Sequence, residues 1–143
     1  MTSRIRLVTA LVSAFLTMGL VAVPALATTI NTSMGGYAWH STSGHWGDEN
    51  TASGTSIRLE NCRTTNSSYT FSYTVVTLWR QRGALPDETR GDRTYYCYNG
   101  VTQSWSTPSS DTYYFETASI WNQSGVACVL SCRLSANPVR IGF

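Results

Sequence analysis

The stretch Tyr69-Thr70-Phe71-Ser72-Tyr73-Thr74-Val75-Val76-Thr77-Leu78-Trp79-Arg80 decides the fold. Successive side chains of a strand point to opposite faces, so a period of two sets Tyr69, Phe71, Tyr73 and Val75 on one face and Thr70, Ser72 and Thr74 on the other. Aromatic and β-branched residues suit such a pleated, half-buried surface. Past Val75-Val76 the period slips, with Leu78 on one face and Trp79 on the other. A bulge, or burial of both faces, accounts for that slip.

Outward from this run, strand and turn signals recur at sandwich-like spacing. Ser56 to Cys62 alternates Ile57 and Leu59 against Arg58 and Glu60, and Thr64 to Ser68 reads as a turn. Arg82 to Arg93 reads as a charged loop. Thr94–Tyr98 and Val101–Ser106 flank Asn99-Gly100, the pair that a type I′ hairpin turn favours. Further strands are expected over Thr112–Asn122, Val126–Leu134 and Val139–Phe143. Residues 28–54 read as a loop-rich N-terminal segment with one short strand near Tyr37–His40. The prediction is an all-β chain: a single antiparallel β-sandwich of seven or eight short strands over residues 55–143.

Residues 1–27 read as a secretory signal peptide: Arg4 and Arg6, an apolar run from Leu7 to Val23, then Ala25-Leu26-Ala27 as a small-residue cleavage site. Export is therefore expected, with an extracellular product and no membrane insertion. The 143-residue chain has ten Lys plus Arg, all of them Arg, and eight acids. Removing the leader leaves eight arginines against eight acids, a formally neutral product. That balance argues against nucleic acid, whose phosphates demand accumulated positive charge. Cys62, Cys97, Cys128 and Cys132 are even in number and read as two disulfides in an oxidising compartment. Three pairings are open. A straight strand through Cys128 and Cys132 would hold them too far apart to bond, whereas a turn lets them pair locally and leaves Cys62 with Cys97; the local pairing is slightly favoured.

The only histidines, His40 and His45, lie close to Asp48 and Glu49, but their spacing matches no zinc signature, and a solvent-exposed loop is the simpler reading. No Gly-x-Ser-x-Gly elbow is present. The densest acids, Asp87, Glu88 and Asp92, alternate with Arg90 and Arg93 and read as a self-neutralising surface, as does Arg90-Gly91-Asp92. No catalytic residues, metal or cofactor are expected. The more informative feature is adjacent aromatics. In Tyr95-Tyr96 and Tyr113-Tyr114-Phe115 the pleat cannot turn every ring inward; if Tyr113 and Phe115 face the core, Tyr114 faces out. Candidate binding residues are Tyr95, Tyr96, Trp105, Tyr114 and Trp121, with Trp39 and Trp46 on the N-terminal segment. That segment folding over the rings is the competing reading.

The Ala25-Leu26-Ala27 signal, the Lys-free, Ser/Thr-rich mature chain, the four cysteines and strands such as Asp111–Glu116 together resemble small secreted two-disulfide β-sandwich proteins of actinobacteria, a group of mostly unassigned function. Within Leu78-Trp79-Arg80-Gln81, Trp79-Arg80 also resembles the Trp-Arg-Tyr element of small amylase-inhibitor sandwiches, with Gln81 in place of Tyr. The resemblance implies an exported protein; the neutral, aromatic- and Ser/Thr-rich surface without a catalytic constellation makes a non-catalytic role the expectation. Tyr and Trp set among Ser, Thr, Asn and Gly supply rigid contact area with adaptable hydrogen bonding, as in paratopes. The function expected is that of a secreted protein-protein interaction module, an adaptor, assembly subunit or inhibitor, whose partner is another secreted or cell-surface protein. A carbohydrate-binding module is the alternative, and a small secreted hydrolase using His40 or His45 stands third.

Overall fold

Alternation does govern the strand that opened the reading, although the larger side chains face away from the core. In the computed structural model, which describes residues 28–49, 54–65, 69–107, 110–128 and 132–143, Phe71–Gln81 forms an eleven-residue strand. Thr74, Val76 and Leu78 are buried, while Tyr73, Val75 and Trp79 stand half-buried on the other side. Thr74 can face the interior because its hydroxyl donates to Ser119 O at 2.6 Å. The expected slip is present as register shifts, between Val75 and Val76 against one neighbour and between Thr77 and Trp79 against the other.

Among the described residues 63% are strand and none is helical. The strands are β1 (Thr29–Tyr37), β2 (Trp46–Asp48), β3 (Thr55–Leu59), β4 (Arg63–Thr64), β5 (Phe71–Gln81), β6 (Glu88–Tyr95), β7 (Val101–Trp105), β8 (Asp111–Asn122) and β9 (Leu134–Gly142). A five-stranded sheet runs β1-β9-β3-β7 with β4 also on β9; a four-stranded sheet runs β2-β8-β5-β6. All pairings are antiparallel. The core lies between the sheets, built from Ile57, Leu59, Leu134, Val139 and Ile141 on one side and Val76, Leu78, Tyr113, Phe115 and Ile120 on the other. Asp48 is buried among these residues, accepting from Thr107 at 3.0 Å and Thr55 at 3.2 Å. Gly54, just before β3, has φ +69°, and a Cβ there would sit 2.5 Å from the Trp105 carbonyl oxygen, so only glycine fits.

Three sequence expectations are corrected. The N-terminal segment holds a nine-residue strand, β1, paired with β9, rather than one short strand near Tyr37–His40. Its polar, exposed pattern hid it, because only one face of an edge strand needs apolar residues. The charged loop ends at Asp87: Glu88 to Arg93, including Arg90-Gly91-Asp92, belong to β6. Asn99-Gly100 is not a hairpin turn, since β6 and β7 pair in different sheets. Tyr95 explains the crossing. Its ring is fully buried and its hydroxyl donates to Ile57 O of the opposite sheet at 3.0 Å, drawing the chain across the sandwich.

The two disulfides are Cys62–Cys97 and Cys128–Cys132, with Cα separations of 5.5 and 5.6 Å. The first joins the chain beyond β3 to the β6–β7 crossing. The leader expected over residues 1–27 and the turn residues 66–68 lie outside the described residues.

Candidate functional site

The outward face of the four-stranded sheet carries the aromatic side chains that the core excludes. Residues directly opposite in a ladder share a face, so the register sorts this surface into transverse rows. One row holds Tyr73 and Trp121, with Tyr96 alongside: the Tyr73 and Trp121 rings lie 5.6 Å apart and 13° from parallel, and Tyr73 meets Tyr96 at 5.4 Å. Next come Thr94, Val75 and Ser119. The third row is Asp92, Thr77 and Glu116. The last holds Thr89, Trp79 and Tyr114, whose Trp79 and Tyr114 rings lie 6.4 Å apart and 11° from parallel. Six residues separate Tyr73 from Trp79, so the two aromatic rows lie about 20 Å apart.

Residues 38–45 flank this face as a strap along β8. His40 N donates to Thr117 O at 2.9 Å, Thr117 N to Ser41 O at 2.9 Å, and Ser43 N to Phe115 O at 2.8 Å. The strap carries His45 to the Tyr114 ring, with centroids 4.8 Å apart, and His40 to Glu116. Glu116 is thus gripped twice: Trp79 Nε1 donates to Oε2 at 2.8 Å, and His40 Nδ1 meets Oε1. Trp39 packs against His40 and is 43% exposed.

Asp87 and Asp92 on this face are held by hydroxyls and a backbone amide. The Tyr114 hydroxyl donates to Asp87 at 2.8 Å, the Arg82 backbone N–H to the other Asp87 oxygen at 3.2 Å, and the Thr77 hydroxyl to Asp92 at 2.6 Å. Burial pushes the Tyr114 hydroxyl up to about 12, reinforced by that hydrogen bond and by the negative charges of Asp87 and Glu116. Arginines lie elsewhere. Arg80 pairs with Asp111 at 2.7 Å and Glu88 at 3.4 Å, and Arg90 with Glu88 at 3.3 Å. Arg93 lies over the Trp105 ring at 5.4 Å and donates to Ser104 O, Arg90 donates to Ser106 O, and Trp105 Nε1 donates to Gly91 O. These contacts stitch β6 to β7 and close that side of the sandwich. On the outward face of the other sheet, Arg58 and Arg140 sit opposite one another and share Glu60, at 2.7 and 3.5 Å. Between β1 and the strap the sandwich is less tightly closed, leaving a crevice of about 140 Å³ lined by Ile30, Met34, Tyr37, Trp46 and Phe115.

The candidate binding residues divide. Tyr96 and Trp39 are exposed, and Tyr114 and Trp121 are half-buried on the outward face. Tyr95, Trp105 and Trp46 are core residues, because alternation turns Tyr95 inward, Trp105 seals the stitched side, and Trp46 packs on Phe115. They have no surface to offer a partner. The strap therefore neither floats free nor blankets the rings: Trp46 enters the core while Trp39 stays outside. His40, His45 and Asp48 do not converge, since His45 faces outward and Asp48 inward, and among the described residues no group of three metal-ligating side chains forms. The residues missed from sequence are Tyr73, Trp79, Asp87, Asp92 and Glu116. The slip at Leu78-Trp79 was the available signal for Trp79; the acids gave none, because their partners come from distant strands. No family model, no curated protein and no solved structure matches the chain.

Proposed function

We propose that this chain is an exported, non-catalytic binding protein that docks another protein on the outward face of its four-stranded sheet. The observation that carries this reading is the pair of aromatic rows, Tyr73/Trp121/Tyr96 and Trp79/Tyr114, standing outside the core on a backbone fixed by antiparallel ladders. Tyr and Trp dominate the energetics of protein interfaces because they supply large area at low entropic cost. His40 meets Glu116 and His45 meets the Tyr114 ring, contacts that support a structural role for both histidines in holding the strap to this face.

The test is capture of partner from culture fluid by the wild-type chain, compared with Trp79→Ala and Tyr73→Ala. Loss of capture in both variants, with circular dichroism unchanged, supports the reading. Capture that survives both substitutions overturns it. The near-parallel Tyr73/Trp121 pair also suits a sugar ring, so retention on chitin or cellulose that Trp121→Ala abolishes would instead favour the glycan module.

A further inference from the structure

We infer that the partner segment recognised by this face is basic: an extended stretch that sets an arginine or lysine over the Asp92/Thr77/Glu116 row and apolar side chains on the aromatic rows at either end. This inference rests on the docking face proposed above and gives its partner a chemistry. The first support is a contrast among the acids. Glu60, Glu88 and Asp111 are each paired with arginine. Asp87, Asp92 and Glu116 take their hydrogen bonds from a phenol, a backbone amide, an aliphatic hydroxyl, an indole and an imidazole. Their negative charge is therefore hydrogen-bonded without an arginine counter-charge, on the face where the rings stand.

Arg80 lies opposite the buried Tyr113, and the Arg90 and Arg93 guanidiniums are held by backbone carbonyls, Arg90 by Ser106 O and Arg93 by Ser104 O and Asp92 O, rather than by the carboxylates of this face. The Tyr114 hydroxyl, donating to Asp87, brings that carboxylate to the end of the Trp79 row. A cation brought here meets both the carboxylates and the π faces of Trp79 and Tyr114, and arginine stacks on aromatic rings as well as pairing with carboxylates. Arg93 over Trp105 displays that geometry within the chain itself. The distance between aromatic rows, about 20 Å, is the reach of six extended residues, so one segment can span the face with a side chain on the acidic row, nearer the end that meets Trp79 than the end that meets Tyr73.

The experiment is a titration of the folded chain with hexa-arginine and with hexa-glutamate, followed by the amide and indole resonances in ¹H–¹⁵N spectra. The expected result is that hexa-arginine shifts the Trp79 indole and the amides around Asp92, Tyr114 and Glu116, while hexa-glutamate shifts none of them. Asp92→Asn and Glu116→Gln should each weaken the interaction by about threefold, added salt should weaken it further, and Glu60→Gln on the opposite sheet should leave it unchanged. Asp92 is exposed, so its variant keeps the test valid should Glu116→Gln disturb the strap. Shifts confined to the other sheet, or equal shifts with both peptides, would overturn the basic-segment inference. If that happens while Trp79→Ala and Tyr73→Ala still abolish partner capture, the docking face stands and only its assigned chemistry fails.

Discussion

The Trp79 indole N–H lies 2.8 Å from Oε2 of Glu116, a bond that runs diagonally from β5 to β8 and leaves the other carboxylate oxygen to His40 on the strap. One carboxylate thus connects two strands and the strap, and its orientation is fixed before any partner arrives. A hydrogen bond to a charged acceptor contributes more than a neutral one, and an exposed setting lowers that contribution. Trp79→Phe keeps most of the ring and removes the donor. It should cost about 1 kcal/mol, read as a lower urea midpoint at unchanged slope. An unchanged midpoint would show that the bond does not hold the strap in place.

Tyr95 and Tyr96 are neighbours with opposite fates, one fully buried and the other 54% exposed. Tyr95→Phe deletes the hydroxyl bonded to Ile57 O and should destabilise the fold by about 1 kcal/mol, because a buried carbonyl loses its donor across the sheets. Tyr96→Ala should move stability by less than about 0.5 kcal/mol but reduce partner capture. Urea unfolding and capture, measured on both variants, separate the two roles.

The disulfides close loops of very different length, with sequence separations of 35 and 4. On the chain-entropy account the Cys62–Cys97 bridge contributes about 4 kcal/mol and the Cys128–Cys132 bridge about 2 kcal/mol. Replacing Cys62 and Cys97 together by alanine should therefore lower the melting temperature more than replacing Cys128 and Cys132. The reverse order in calorimetry would show that the local bridge braces something beyond its own loop.

Alkaline pH acts on two tyrosines. Burial raises Tyr114 to about 12, and burial raises Tyr95 further. A group whose folded ionisation is raised adds stability that is complete below its unfolded value near 10 and is lost as pH climbs through the folded value. The fold should weaken between pH 10 and 12, with tyrosinate absorbance from Tyr114 appearing late and that from Tyr95 appearing only as the chain unfolds. Full tyrosinate absorbance at pH 11 with intact circular dichroism would contradict this.

The interior was legible in the sequence wherever the pleat alone decides it. Ile57 and Leu59, Tyr113 and Phe115, and the outward turn of Tyr114 all follow from a period of two. The even cysteine count gave two bridges, and the curled alternative for Cys128 and Cys132 gave their pairing. The crossing at Asn99-Gly100 was not legible, because a favoured turn pair reports local backbone preference while Tyr95 and the Cys62–Cys97 bridge act across the sandwich. Trp105 was misread for a similar reason: its burial depends on Arg93 and Gly91, which reach it from the other sheet. The proposed docking face needed the register of three strands, which places Asp92 and Glu116 on either side of Thr77.

The separation of Arg58 and Arg140 on one broad side from Asp92 and Glu116 on the other has an effect beyond contact range. Whatever the net charge of a body, an uneven distribution of its charges produces a torque in an external field. Approaching a positively charged surface, the molecule should rotate before it touches and arrive with its ring-bearing side leading. Orientation would then be selected during diffusion rather than by repeated unproductive collisions, and raising ionic strength should slow association more than it speeds dissociation.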